Sequence, residues 1–197
     1  MLNYQHIILW RHADAEKLGS ESVDIARPLS KKGEQQAQKM AKWLMANLPA
    51  ETLVISSNAV RAQQTAEALK LQTITFANLA PTATLQEVLA TISELADNHL
   101  HAKNLLIIGH QPWLGLLAAQ LLCLPNKLTQ NSKEISIKKG SVWWFKKPRH
   151  LYHDLNFCFF RDIAAYFSIR SVFDFYDCIC TLWHHSTRSY IHNISRF

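Results

Sequence analysis

The sequence is poor in charge and lacks a long uncharged apolar run. Only 18% of its 197 residues are Asp, Glu, Lys or Arg, while 48% are hydrophobic. That balance excludes a disordered chain and supplies enough apolar surface for a sizeable core. No uncharged apolar stretch is long enough to span a bilayer, and the N-terminus lacks the basic-then-apolar order of a signal peptide. The expectation is a cytoplasmic protein with reduced thiols, one domain with an appendage, and no membrane partner. Cysteines number four, and Cys178-Ile-Cys180 is too isolated to form a zinc site. The histidines are scattered without ligand spacing, so neither a metal nor another cofactor is expected. A net charge of +6 favours anionic partners without choosing among phosphates, acidic protein faces and nucleic acid.

What the chain does have is short branched runs that end in polar residues. Ile7, Ile8, Leu9 and Trp10 read as a buried strand that stops at Arg11-His12. Ala15 to Arg27 is polar and reads as a loop. Ser30 is placed to cap a helix carrying Ala37, Met40, Ala41, Leu44 and Leu48, which Pro49 stops; Gly33 in its first turn is a mild cost. Leu53 to Ser57 is a second buried strand, and Asn58 is a candidate cap for a helix over about 59–71. Thr73 to Phe76 reads as a short edge strand. Thr84-Leu-Gln-Glu87 fits a capping box ahead of another amphipathic helix. Leu105 to Ile108 is a third buried strand ending in Gly109-His110, with Pro112 at the start of a fourth helix. Glu134–Lys138 and Ser141–Phe145, flanking Lys139-Gly140, read as a hairpin or two closing strands.

Strand-then-helix units in series imply parallel strands with right-handed crossovers. Arg11-His12, Ser56-Ser57 with Arg61, and His110 then emerge at one edge of the sheet, where open α/β folds place ligands. Arg61 in the first turn of a helix opposes the helix dipole at a cost of ~0.3–1 kcal/mol, which makes sense beside a bound anion. Arg11 and Arg61 can offer forked donors to phosphoryl oxygens, and His110 a further one. A neutral His12 can attack phosphorus, and two neighbouring guanidinium groups would keep it neutral. The same residues would also suit a site that captures phosphate without turnover.

These residues resemble the histidine phosphatase superfamily. Leu9-Trp-Arg-His-Ala-Asp-Ala15 is similar to its Arg-His-Gly motif, Ser56 to Glu67 to its second signature, and Ile107 to Pro112 to its third; Arg27-Pro-Leu-Ser-Lys-Lys-Gly-Glu34 also fits. The short insert before His110 is most similar to SixA-type phosphohistidine phosphatases. The likeness covers about Met1 to Lys147, with Ala13 standing where larger members carry glycine. It implies a phosphoglycerate-mutase-like α/β three-layer sandwich, a mostly parallel sheet with helices on both faces. It implies metal-independent catalysis by His12 as nucleophile with Arg11, Arg61 and His110, and substrate contacts from Arg27, Ser57 and Asp14. The larger members' acidic proton donor has no clear equivalent: Glu87 is nearest in position but has a capping role, and Asp14 is a weaker candidate. A phosphohistidine leaving group needs little acid assistance, so the implied substrate is a phosphorylated histidine-containing phosphotransfer domain or sensor kinase of a two-component system. A small-molecule phosphomonoesterase and a non-catalytic phosphate or phosphoprotein binder are the alternatives. Nucleic acid is not an expected partner.

The catalytic domain is thus expected over 1–148. Residues 151–197 contain no Lys, Glu, Gln, Gly, Pro or Met, yet hold seven of the nine Phe and three of the four Cys. So sharp a shift is expected of an atypical extension over 149–197, from a shifted reading frame or an unrelated addition, loosely ordered and without catalytic residues. An oligomerisation arm and a membrane-surface segment are the other readings.

Overall fold

The computed structural model describes residues 4–17, 23–99, 101–122, 135–147 and 162–166. Six strands form one sheet: β1 (His6–Arg11), β2 (Thr52–Ser57), β3 (Ile74–Phe76), β4 (Asn104–Gly109), β5 (Val142–Lys146) and β6 (Asp162–Tyr166), in the spatial order β3-β2-β4-β1-β5-β6. β1, β2, β3 and β4 run parallel; β5 and β6 are antiparallel additions at one side. Because β1 pairs with β4 and β4 with β2, the strand ends at Arg11, Gly109 and Ser57 lie side by side.

Successive side chains of a strand point to opposite faces, so fully apolar strands need cover on both. Ile7, Leu9, Ile55, Leu105 and Ile107 pack under α3 (Leu85–Asn98) and α4 (Trp113–Leu121), against Val88, Ile92, Leu114 and Leu117. Their neighbours Ile8, Trp10, Val54, Leu106 and Ile108 pack under α1 (Lys31–Asn47) and α2 (Val60–Glu67), against Met40, Leu44, Ala62 and Ala66. The result is the three-layer α/β sandwich with helices on both faces. No helix among the described residues is long and apolar enough to cross a membrane.

Local chemistry accounts for most boundaries. Ser30 Oγ accepts from the Gly33 N–H at the start of α1, and Thr84 with Glu87 forms the complete capping box of α3. Two expectations are corrected. Asn58 does not cap α2: the cap position is Ala59, whose N–H donates to Ser57 Oγ, so the turn is tied to the strand end instead. The hairpin also loses its first arm, since Ile135–Lys138 is not a strand. There the Ile137 carbonyl accepts from Arg11 Nη1 and the Ile135 carbonyl from Gln111 Nε2, so side chains take the bonds a ladder would use. Glu134 lies outside the described residues, as does all of 149–197 except β6.

Candidate active site

His12 follows the last residue of β1, and its N–H donates to the Gly109 carbonyl of β4. Its side chain is buried, with Nδ1 2.7 Å from the Ala13 carbonyl. A carbonyl only accepts, so Nδ1 carries the hydrogen and Nε2 the lone pair. Ala13 is held in turn: its N–H donates to Thr65 Oγ1, which donates to the Arg61 carbonyl in α2. Gly140 closes over the same segment, its N–H donating to the carbonyls of Arg11 and His12. Its φ of +73° is a backbone state that glycine adopts without strain.

His110 follows β4. Its ring lies 4.9 Å from that of His12, centroid to centroid, and its Nε2 is 2.8 Å from Ser57 Oγ at the end of β2. Arg61, in the first turn of α2, is only 3% exposed. Both its terminal nitrogens are used: Nη1 donates to the Asp24 carbonyl and Nη2 to Asp24 Oδ2. Arg27 donates from Nη2 to Asp24 Oδ1 and from Nη1 to the Glu16 carbonyl. Arg11 donates from Nη1 to the Ile137 carbonyl. Among the site residues just named, four buried nitrogens are left with no protein partner: Nε of Arg11, Arg27 and Arg61, and Nδ1 of His110.

The electrostatics follow from burial among cations. Burial lowers His12 to about 4; its bond to Ala13 opposes this, and the charges of Arg61, Arg11 and Lys139 add smaller lowering effects. Burial, with His12, Arg61, Arg11 and Arg27 nearby, lowers His110 to about 2. Both rings are therefore neutral at neutral pH. An anion would find a dry, positively charged corner with unspent donors, where charge-assisted hydrogen bonds are strong.

The sheet thus brings Arg11, His12, Arg61, His110 and Ser57 to one edge, and Arg27 joins them through Asp24. Asp14 is engaged otherwise. Its carboxylate accepts from Lys139 Nζ and Ser30 Oγ, and those bonds outweigh burial in holding its carboxyl below the usual range. The Glu87 carboxylate is committed to the Thr84 N–H and Oγ. Asp24, which joins Arg27 to Arg61, was not legible as a site residue. It sits in a polar loop, and its one sequence signal is the i,i+3 spacing to Arg27. Among the described residues, no group of three or more His, Cys, Asp or Glu could hold a metal ion.

The signature of the histidine phosphatase superfamily (branch 1) matches residues 7–88. An uncharacterised protein of Mycobacterium tuberculosis is 32% identical over 117 residues, 59% of this chain and 72% of that protein. Among solved structures, a candidate phosphohistidine phosphatase SixA from Nakamurella multipartitia is 27% identical, with a TM-score of 0.53 over 72% of this chain and 84% of that one. The protein histidine phosphatase SixA in complex with tungstate is 22% identical, TM-score 0.58, covering 72% and 88%. The alpha-ribazole phosphatase of Shigella flexneri shares the fold at 20% identity, TM-score 0.57, covering 73% and 91%.

Proposed function

Because the chain belongs to the histidine phosphatase superfamily (branch 1), we propose that it is a phosphohistidine phosphatase that works through a phosphorylated His12. The observation that carries this reading is the cluster of four unpartnered buried nitrogens beside a neutral imidazole. Buried arginine donors left unmade are costly, and a phosphoryl group carries the oxygens to satisfy them.

The chemistry follows from that arrangement. His12 Nε2 attacks phosphorus, and the P–N bond of the substrate breaks as its imidazole, protonated on the distal ring nitrogen, departs neutral. Nδ1 of His12 keeps its proton on the Ala13 carbonyl throughout, so the intermediate is a cationic phosphoimidazole that water readily attacks. The P–Nε2 bond then breaks, His12 returns neutral, and the water's second hydrogen leaves on the phosphate. Arg11, Arg61 and His110 stabilise the transferring oxygens; removal of one such donor typically costs about 100- to 1000-fold.

P–N substrates are favoured because their leaving group needs little acid assistance, and three candidate carboxylates for that role are engaged. Asp14 is bound to Lys139, Asp24 to two arginines and Glu87 to Thr84. The SixA relatives support the same substrate class. Exposed Lys31, Lys32 and Lys139 near the Asp14 loop suit an acidic face, so a phosphorylated histidine-containing phosphotransfer domain or sensor kinase is the substrate in this reading.

The test uses a phosphohistidine protein, a phosphoramidate and a panel of phosphate esters. The expected result is faster P–N than P–O cleavage and an acid-labile phosphoenzyme that His12→Ala abolishes. Preference for esters would install a phosphomonoesterase instead. Equal hydrolysis by His12→Ala would overturn the mechanism, and anion binding without turnover would leave a phosphate-binding module.

A further inference from the structure

Asp24 lies in a 3-10 turn, Asp24–Ala26, and is bonded to two of the site's three arginines. Its carbonyl accepts from Arg61 Nη1 at 2.6 Å and its Oδ2 from Arg61 Nη2 at 2.8 Å, while Oδ1 accepts from Arg27 Nη2 at 2.8 Å. A guanidinium has two donor edges: the end edge, made by both terminal nitrogens, and the side edge, made by Nε with one of them. Asp24 occupies the end edge of Arg61. The side edge retains Nε, buried and without a protein partner on a side chain only 3% exposed. From this geometry we infer that Asp24 is a positioning residue: by gripping the end edge of Arg61, it aims the side edge at the oxygens of a tetrahedral oxyanion beside His12.

The inference rests on the phosphoryl-site reading above and deepens it. Two further observations support it. Arg61 is buried, and a buried cation without a counter-charge is costly to hold. Asp24 supplies that charge from a carboxylate 44% exposed, which burial would raise but Arg61 and Arg27 hold below the ordinary carboxyl value. The net charge also fits. With Arg11, Arg27 and Arg61 charged, the Asp24 carboxylate leaves the cluster with a net charge of two, the complement of a dianionic phosphoryl group. A carboxylate that competed with the substrate for Arg61 would make the same contacts and have the opposite effect on anion binding.

Tungstate binding separates these roles without requiring turnover. It is measured by calorimetry on the full chain, alongside steady-state phosphoramidate hydrolysis, for wild type, Asp24→Asn, Asp24→Ser, Arg61→Lys and Asp24→Asn/Arg61→Lys. The expected result is tungstate affinity about tenfold to a hundredfold weaker in both Asp24 variants, the scale of a lost charge-assisted hydrogen bond. In the Arg61→Lys background, which has no side edge to aim, Asp24→Asn should cause no further loss. Wild-type or tighter affinity in the foldable Asp24 variants overturns the inference, tighter binding identifying Asp24 as a competing anion. An equal loss in both backgrounds also overturns it, because Asp24 would then act independently of Arg61. If wild type neither binds tungstate nor turns over phosphoramidate, the phosphoryl-site reading itself fails.

Discussion

His12 is the residue on which the proposed chemistry turns, and its surroundings make a measurable claim. An ordinary imidazole titrates at 6.5, and His12 is lowered to about 4 by burial and by Arg61, Arg11 and Lys139. In the proposed mechanism the nucleophile is the neutral form, so kcat/KM for a phosphoramidate should hold level as pH falls through 6.5 and decline only toward 4. An acid limb at the ordinary histidine value, after correction for substrate ionisation, would show that neither burial nor the cations act on the ring. The placement of these residues was legible in the sequence, because Arg11, His12, Arg61 and His110 each stand at a strand end or helix start. Asp24 was not. Nothing in a polar loop announces that one aspartate will reach Arg61, 37 positions away along the chain. The family likeness implied Asp14 as a substrate contact; its carboxylate is bonded to Lys139 and Ser30.

At the scale of elements, the first turn of α1 is where helix propensity and packing disagree. A Cβ at Gly33 would stand 1.8 Å from the Asp14 carbonyl oxygen, so glycine lets α1 press against the loop that follows His12. Alanine is favoured over glycine within a helix by about 1 kcal/mol. The overlap with main chain should outweigh that gain, as overpacking typically costs about 1–3 kcal/mol. Gly33→Ala is therefore expected to lower the urea midpoint and weaken tungstate binding, by displacing the Asp14 segment from the helix. A stabilised variant would mean that the loop yields freely. The same contrast explains which elements the sequence disclosed. β1, β2 and β4 are apolar on both faces, and their runs are visible in isolation. Ile135–Lys138 has strand-like residues, but its carbonyls are claimed by Arg11 and Gln111, a competition between distant groups that no local pattern records. Asn58 fails as a cap for a similar reason: Ser57, fixed by β2, meets the Ala59 N–H.

For the whole molecule, the boundary near 148 and the protonation of the core are the two open tests. β6 pairs with β5 at the side of the sheet away from β2 and β4, and none of the site residues belongs to it. A chain ending at 148 should therefore keep its tungstate affinity while exposing the β5 edge, with its tryptophans at 143 and 144, to self-association. Loss of affinity in the monomeric fraction would place the tail within the working domain. Protonation reaches further, because it couples the site to folding. His12 and His110 are held neutral in the fold but titrate at the ordinary 6.5 once unfolded, and His6 is lowered in the same direction by burial and Lys146. Below 6.5 the unfolded chain thus binds more protons than the folded one, and stability falls as pH drops toward about 4. Asp14 and Asp24 are lowered too, but their contribution is lost only on further acidification, from about the ordinary carboxyl value of 3.8 downward. The interval from 6.5 to 4 therefore belongs mainly to the histidines. Urea midpoints across it should fall steadily for wild type and more shallowly for a His12→Asn/His110→Asn variant, whose site no longer resists protonation. Identical slopes would mean that the imidazoles are hydrated and ordinary, and the dry cationic corner on which the chemistry depends would not exist in solution.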